Sequence, residues 1–203
     1  MNAIRALELL RGLGRPILRT EEVAAILGIS GSGASHLLAT LQTAGSVLRV
    51  VPGRWSVVAQ PSPYLIASWL TDPYPSYVSL YTALSRHGLI TQVPRTVYVV
   101  SLARTKVVKT PVGDYSVHRL PPGLFGGYLE RSGERMATPE KAIFDTLYLS
   151  RARGRRFSHL TEVELPTAFQ ADVLSAWALK IRDARVRSFV EDRIAAFLEH
   201  AQR

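Results

Sequence analysis

Ala3, Ile4, Leu7 and Leu10 recur at helical spacing and predict a first helix over residues 2–11, ended by Gly12 and Gly14. A short second helix is predicted to start at Thr20, read as its N-cap, with Glu21 and Glu22 in the first turn where the helix dipole favours anions. Val23, Ala24 and Leu27 form its apolar stripe, and Gly28 stops it. A third helix follows the capping Ser30, with Ala34, Leu37, Leu38 and Leu41 on its buried face. Residues 46–51 and 54–58 are rich in β-branched side chains and flank Pro52-Gly53, which predicts a hairpin. Pro61-Ser62-Pro63 predicts a short, stiff linker.

Beyond the linker the pattern alternates between helix and strand. Residues 63–70 predict a short apolar helix, followed by a turn at Thr71-Asp72-Pro73. A helix is expected over 77–87, closed by Gly88, with His87 in its last turn. Strands are expected at 95–102, 106–110, 114–119 and 124–130. Thr138-Pro139-Glu140 marks a helix start, because Thr caps, Pro suits the first position and Glu suits the positive end. Two further helices carry Phe169, Val173, Leu174, Trp177 and Ile181, then Val186, Phe189, Val190, Ile194 and Phe197. The fold class expected is α+β, with a winged helix-turn-helix at 1–60 and a mixed helix-and-strand domain at 61–203.

The stretch from Ala24 to Leu37 gives the first part its chemical meaning. A helix-turn-helix needs a small residue where two helices cross, a glycine at the turn and apolar anchors on the second helix; Ala24, Gly28, Ile29, Ala34 and Leu37 supply these in order. The opposite face of the third helix shows Ser32, Ser35, His36, Ala39, Gln42 and Thr43, with Thr40 beside it. Small polar side chains there permit close approach to a major groove. Ser30, Ser32, Ser35, His36 and Thr40 are therefore the expected groove contacts, and His36 is the residue most able to reach a base edge. No arginine stands on this face, so direct guanine readout by the helix is not expected. Arg49 and Arg54 flank the hairpin turn as candidate wing contacts, and Arg15 and Arg19 are candidates for the phosphate backbone. The competing reading of each is a solvated surface side chain.

Charge widens the case for a polyanionic partner. The 203 residues carry a net charge of +9 at a pI near 10.2, a balance that raises encounter rates with nucleic acid. The excess is spread as +3 over 1–60, +4 over 61–135 and +2 over 136–203, so no single tail holds it. The densest cluster is Arg151, Arg153, Arg155 and Arg156, which could hold nucleic acid or an acidic protein surface, or simply be a solvated loop. Hydrophobic residues at 47% and charged residues at 20% suit an ordinary globular protein. There are no cysteines, which excludes disulfides, Cys-ligated zinc and a Cys nucleophile, and fits a reducing cytoplasm. Arg5, Glu8 and Arg11 interrupt the leucines of residues 1–14, so no signal peptide is expected there, and no apolar run reaches membrane-spanning length.

The sequence carries no recognisable catalytic constellation. Of His36, His87, His118, His159 and His200, no two stand at metal-ligand spacing. Gly28-Ile29-Ser30-Gly31-Ser32 falls one residue short of a nucleophile elbow and coincides with the helix-turn-helix turn. Neither a dinucleotide fingerprint nor a phosphate-binding Gly-Lys-Ser/Thr loop is present. The expectation is a non-enzymatic chain without cofactor or metal.

Tyr77-Val78-Ser79-Leu80-Tyr81-Thr82-Ala83-Leu84-Ser85-Arg86-His87-Gly88-Leu89, continued by Gln92 and Pro94, resembles the AbiEi antitoxin family, as does Ala137-Thr138-Pro139-Glu140-Lys141-Ala142-Ile143-Phe144-Asp145. The winged helix in front, ending on Gly53-Arg54-Trp55, matches that family's order, and the resemblance covers roughly residues 1–150. It implies a type IV toxin–antitoxin or phage-abortive-infection system. The antitoxin there binds double-stranded operator DNA, represses its own operon and opposes a nucleotidyltransferase-like toxin, directly or indirectly. Within the two motifs Ser79, Thr82, His87, Glu140, Lys141 and Asp145 are the candidate antitoxin residues; helix capping is the competing explanation for their placement. A second reading makes the winged helix a scaffold and the 61–203 domain a protein-binding module that contacts the toxin.

Overall fold

The computed structural model describes residues 2–151, 160 and 163–201. Helix α1 (Ala3–Gly12) is capped by Asn2, whose side chain accepts from the Ile4 N–H at 2.8 Å. Strand β1 (Ile17–Arg19), helices α2 (Thr20–Leu27) and α3 (Gly31–Thr43), and the hairpin β2 (Leu48–Val51) and β3 (Arg54–Ser56) complete the first part. The three strands form an antiparallel sheet in the order β1-β3-β2, so helix, strand, helix, helix and hairpin follow one another as in a winged helix. The expected α+β class with a winged helix in front is what the chain adopts.

One element, β1, is not anticipated from the sequence, and the expected cap of α2 is corrected. Strand β1 has only three residues, too few for an alternation to be read from sequence; it forms because β3 offers it a partner, with Leu18 opposite Trp55. Thr20 is not the cap of α2 but its first residue. Arg19 takes the cap position, where its backbone N–H donates to Glu22 Oε2 at 2.8 Å. The Thr20 hydroxyl instead accepts from the Trp55 indole N–H at 3.0 Å, tying α2 to the wing.

The second part is a six-stranded mixed sheet: β4 (Ser76–Val78), β5 (Thr96–Ser101), β6 (Lys106–Thr110), β7 (Gly113–Arg119), β8 (Tyr128–Arg131) and β9 (Glu134–Ala137), ordered β6-β7-β5-β4-β9-β8. The β4–β9 and β5–β7 pairs are parallel, the others antiparallel. The helices are α4 (Pro63–Trp69), α5 (Leu80–Arg86), α6 (Pro139–Leu149), α7 (Ala171–Leu179) and α8 (Ala184–Ala201). The helix expected over 77–87 begins only at Leu80, because Tyr77 and Val78 are claimed as strand by neighbours on both sides. The strand expected at 124–130 splits into a 3₁₀ turn (Pro122–Leu124) and β8, separated by Gly126 and Gly127 at φ of 135° and 71°, which an extended strand does not accommodate.

Alternation divides the sheet into two faces. Tyr77 and Val100 point into a core shared with α5, α6, α7 and α8. Val78 and Val99 point the other way, into a core shared with Ile66, Ala67 and Leu70 around α4. That second core also takes Ile17 from β1 and Val50 from β2, so apolar packing continues from the winged helix into the large sheet. Helix α6 is buried on every side from Lys141 to Tyr148 and forms the centre of the helical layer. Among the described residues no single helix is long and apolar enough to cross a membrane.

Candidate nucleic-acid interface

Helices α2 and α3 are bent 106° to one another, within the range of about 90–120° of helix-turn-helix pairs. Gly28 makes the turn in the left-handed region at φ 64°, and its N–H closes α2 onto Ala24 and Ala25. Ser30 caps α3 by accepting from the Gly33 N–H at 3.1 Å, and its hydroxyl lies 3.0 Å from that of Ser32. Ala34, Leu38 and Leu41 are buried in the winged-helix core, with Leu37 half-buried beside them.

The opposite face exposes Ser32, Ser35, His36, Ala39, Thr40, Gln42 and Thr43. The hydroxyls of Thr40 and Thr43 donate to the carbonyls of His36 and Ala39 at 3.0 and 3.1 Å, so they present a methyl and a lone pair rather than a free donor. Ser35, His36 and Gln42 make no side-chain hydrogen bond among the described residues, which leaves theirs the uncommitted polar groups of the face.

The four candidate arginines separate into two kinds. Arg49 is exposed on β2, its guanidinium 5.7 Å from the centroid of the Trp55 ring, while its neighbour Val50 points into the shared core. Arg15, Arg19 and Arg54 face the seam with the second part instead. Arg15 pairs with Glu22 at 2.9 Å and lies 5.9 Å from the Trp69 ring centroid. Arg19 Nε donates to Asp72 Oδ2 at 2.8 Å, and the pairing holds its guanidinium charged beyond the ordinary arginine value. Arg54 donates to the Leu70 carbonyl at 2.6 Å and to the Asp72 carbonyl. Sequence reasoning reads Thr71-Asp72-Pro73 only as a turn; Asp72, 53 residues from Arg19 in the chain, is the partner it lacks. No local signal announces such a pair.

The six candidate antitoxin residues are each held by a specific contact. Lys141 and Asp145, one turn apart on α6, are both fully buried and ion-paired. Asp145 Oδ2 also accepts from the Ser79 hydroxyl at 2.7 Å and the Tyr77 hydroxyl at 2.9 Å. Lys141 Nζ donates further to the Leu124 carbonyl at 2.8 Å and lies 4.4 Å from the Trp177 ring centroid. Burial pushes Lys141 down and Asp145 up, and in each case the partner's charge opposes the shift. Next to Ser79, Leu80 sits at φ 54°, a strained conformation for leucine that its full burial maintains.

Thr82 accepts from the Tyr98 N–H at 2.9 Å, fixing α5 to β5. His87 Nε2 donates to the Ala137 carbonyl at 2.7 Å, which sets its tautomer and joins the end of α5 to β9. Glu140 accepts from the Gln170 N–H at 3.2 Å at the start of α7. In the basic cluster Arg151 donates to the Tyr148 hydroxyl at 2.8 Å and stacks on its ring; Arg153, Arg155 and Arg156 lie outside the described residues. No group of three or more His, Asp or Glu side chains stands close enough to hold a metal ion among the described residues. No protein-family model matches the chain, and no curated protein matches it.

Proposed function

We propose that the chain is a cytoplasmic DNA-binding antitoxin of the AbiEi type, which represses its own operon and counteracts a nucleotidyltransferase-like toxin. One observation carries the DNA-binding half: α3 stands at 106° to α2 with its outer face made entirely of small or polar side chains. The α3 backbone can approach a major groove closely, with Ser35 and His36 offering hydrogen bonds to base edges and Ser32 to phosphate. The first-turn N–H groups of α3 add a phosphate contact, favoured by the helix dipole. Arg49 supplies the wing cation, and Arg15, Arg19 and Arg54 set the angle at which the winged helix is carried. No catalytic step is assigned to the chain.

A second reading is favoured by the same seam. Three arginines spent on intramolecular partners suit a winged helix that serves as a scaffold for a protein-binding second part. The two readings separate in cells. A reporter driven by the chain's own promoter, with the neighbouring gene product expressed, should be repressed by the native chain and released by Ser35→Glu. Rescue from the toxin by a variant that no longer represses would place antitoxin action outside the DNA face. Unchanged repression by Ser35→Glu would count against the DNA-binding reading.

A further inference from the structure

We infer that the cleft between the end of α6 and the turn joining α7 to α8 binds a nucleotide, its base on the apolar floor and its phosphate on the cationic rim. The cleft has a volume of about 450 Å³, and its lining combines the apolar Pro122, Leu124 and Val186 with the cationic Arg151, Lys180 and Arg182. That volume falls in the range of about 300–1,000 Å³ typical of small-ligand sites.

The lining carries three cations against one acid and is net positive. Lys180 Nζ lies 3.7 Å from the Trp177 ring centroid and the Arg151 guanidinium 4.4 Å from that of Tyr148, so two of the cations are positioned by aromatic faces rather than by carboxylates. Among the described residues no carboxylate forms an ion pair with Arg151, Lys180 or Arg182. The one acid on the lining, Asp183, turns Oδ1 to the backbone N–H groups of Arg185 and Val186 at 2.9 and 3.0 Å and so caps the first turn of α8.

Apolar floor and cationic rim together select the ligand's chemistry. An inorganic anion would leave the floor unfilled, and a neutral apolar molecule would leave the rim unpaired. A base stacked on the floor with its phosphate against an arginine or lysine satisfies both. Duplex DNA presents no unstacked base and fits the cleft poorly. A free mononucleotide and a nucleotide within a single strand share this chemistry, and affinity for one against the other identifies the source.

The test is equilibrium binding to the full chain of adenosine 5′-monophosphate, a short single-stranded oligonucleotide, adenosine, inorganic phosphate and an acidic peptide. The nucleotide and the oligonucleotide should compete, with adenosine and phosphate each at least about tenfold weaker. Arg182→Glu and Lys180→Glu, both at exposed positions, should each weaken nucleotide binding by about tenfold or more. Val186→Trp should block it by filling the floor. Equal affinity for both nucleotide forms points to a free nucleotide, and a large preference for the oligonucleotide points to a strand. Operator binding should be unchanged in all three variants, so this site and the α3 face fail or stand separately. No nucleotide binding at millimolar concentration, phosphate binding as tightly as the nucleotide, indifference to both charge reversals, or tighter binding of the acidic peptide would each overturn the proposal.

Discussion

The carboxylate of Asp72 receives the guanidinium of Arg19, with Nε to Oδ2 at 2.8 Å, and thereby joins the last residue of β1 to the turn after α4. Arg54 reaches the backbone of the same turn through the carbonyls of Leu70 and Asp72. With Ile17 and Val50 packed into the core of the larger sheet, the wing is anchored at its base. Arg49, one residue from Val50, faces out.

From this division the two wing arginines should respond oppositely to truncation. Arg54→Ala leaves two carbonyls without their donor and should cost about 1–3 kcal/mol of stability. That is several degrees of melting temperature for a chain of this size, with the salt dependence of DNA binding unchanged. Arg49→Ala should leave the melting temperature within about 1–2 °C and lower the slope of log affinity against log salt by about 0.9, the loss of one phosphate contact. Thermal melts and a salt titration on both variants check this. A lowered slope for Arg54→Ala would return that arginine to the DNA.

The α6 pair should behave as a buried ion pair with a support network. Lys141→Met strands Asp145 with only the Ser79 and Tyr77 hydroxyls and should destabilise by about 3–5 kcal/mol. Lys141→Met combined with Asp145→Leu removes the stranded charge and should recover a large part of that loss, read from urea midpoints. A double variant no more stable than the single one would show that the pair's value lies in more than mutual charge.

Gly127 lies where the chain passes closest to this network. An added Cβ would stand 2.7 Å from Trp177 and 2.9 Å from Lys141, and φ is 71°. Gly127→Ala should therefore destabilise by more than about 1 kcal/mol. Gly123→Ala, with nothing within 4 Å of its Cβ, should be close to neutral. Equal urea midpoints for the two variants would contradict the contact.

Alkaline pH should weaken the fold through its buried tyrosines. Burial holds Tyr115 well above the ordinary tyrosine value, and its hydroxyl donates to the Pro63 carbonyl at 3.0 Å. Above about pH 10 the unfolded chain loses this proton while the folded chain keeps it, so the folded state binds more protons and stability falls as pH rises. Tyr77 acts in the same direction, whereas Lys141, held below its ordinary value, acts in the opposite one. Comparison with Tyr115→Phe isolates the first contribution: the variant should be slightly less stable at pH 8 and lose stability less steeply between pH 10 and 11. Parallel curves would contradict it.

Features announced by short-range chemistry were legible in the sequence. Ser30 as a cap, Pro52-Gly53 as a hairpin turn and Thr138-Pro139-Glu140 as a helix start appear in the structure where local rules put them. The exposed face of α3 could be read because its polar positions alternate with anchors at helical spacing. Features set by partners far along the chain were not. Arg15, Arg19 and Arg54 look like free surface cations until Glu22, Trp69, Leu70 and Asp72 are brought to them. Lys141 reads with Glu140 as part of a helix start, because charged residues are rarely fully buried, and it is the packing of α5, α7 and α8 around α6 that encloses Lys141 and Asp145. Strand β4 was hidden inside a helical pattern for the same reason: its two neighbours decide its state.

The most direct test of the central claim is a gel shift of the full chain on the DNA upstream of its own reading frame, against a scrambled duplex at about 150 mM salt. The native chain should prefer its own upstream DNA by about a thousandfold or more. Ser32→Glu with Ser35→Glu places two carboxylates on the exposed face of α3 and should abolish that preference without moving the melting temperature by more than about 2 °C. Equal affinity of the native chain for the two duplexes, or undiminished preference in the double variant, would contradict recognition of DNA by α3.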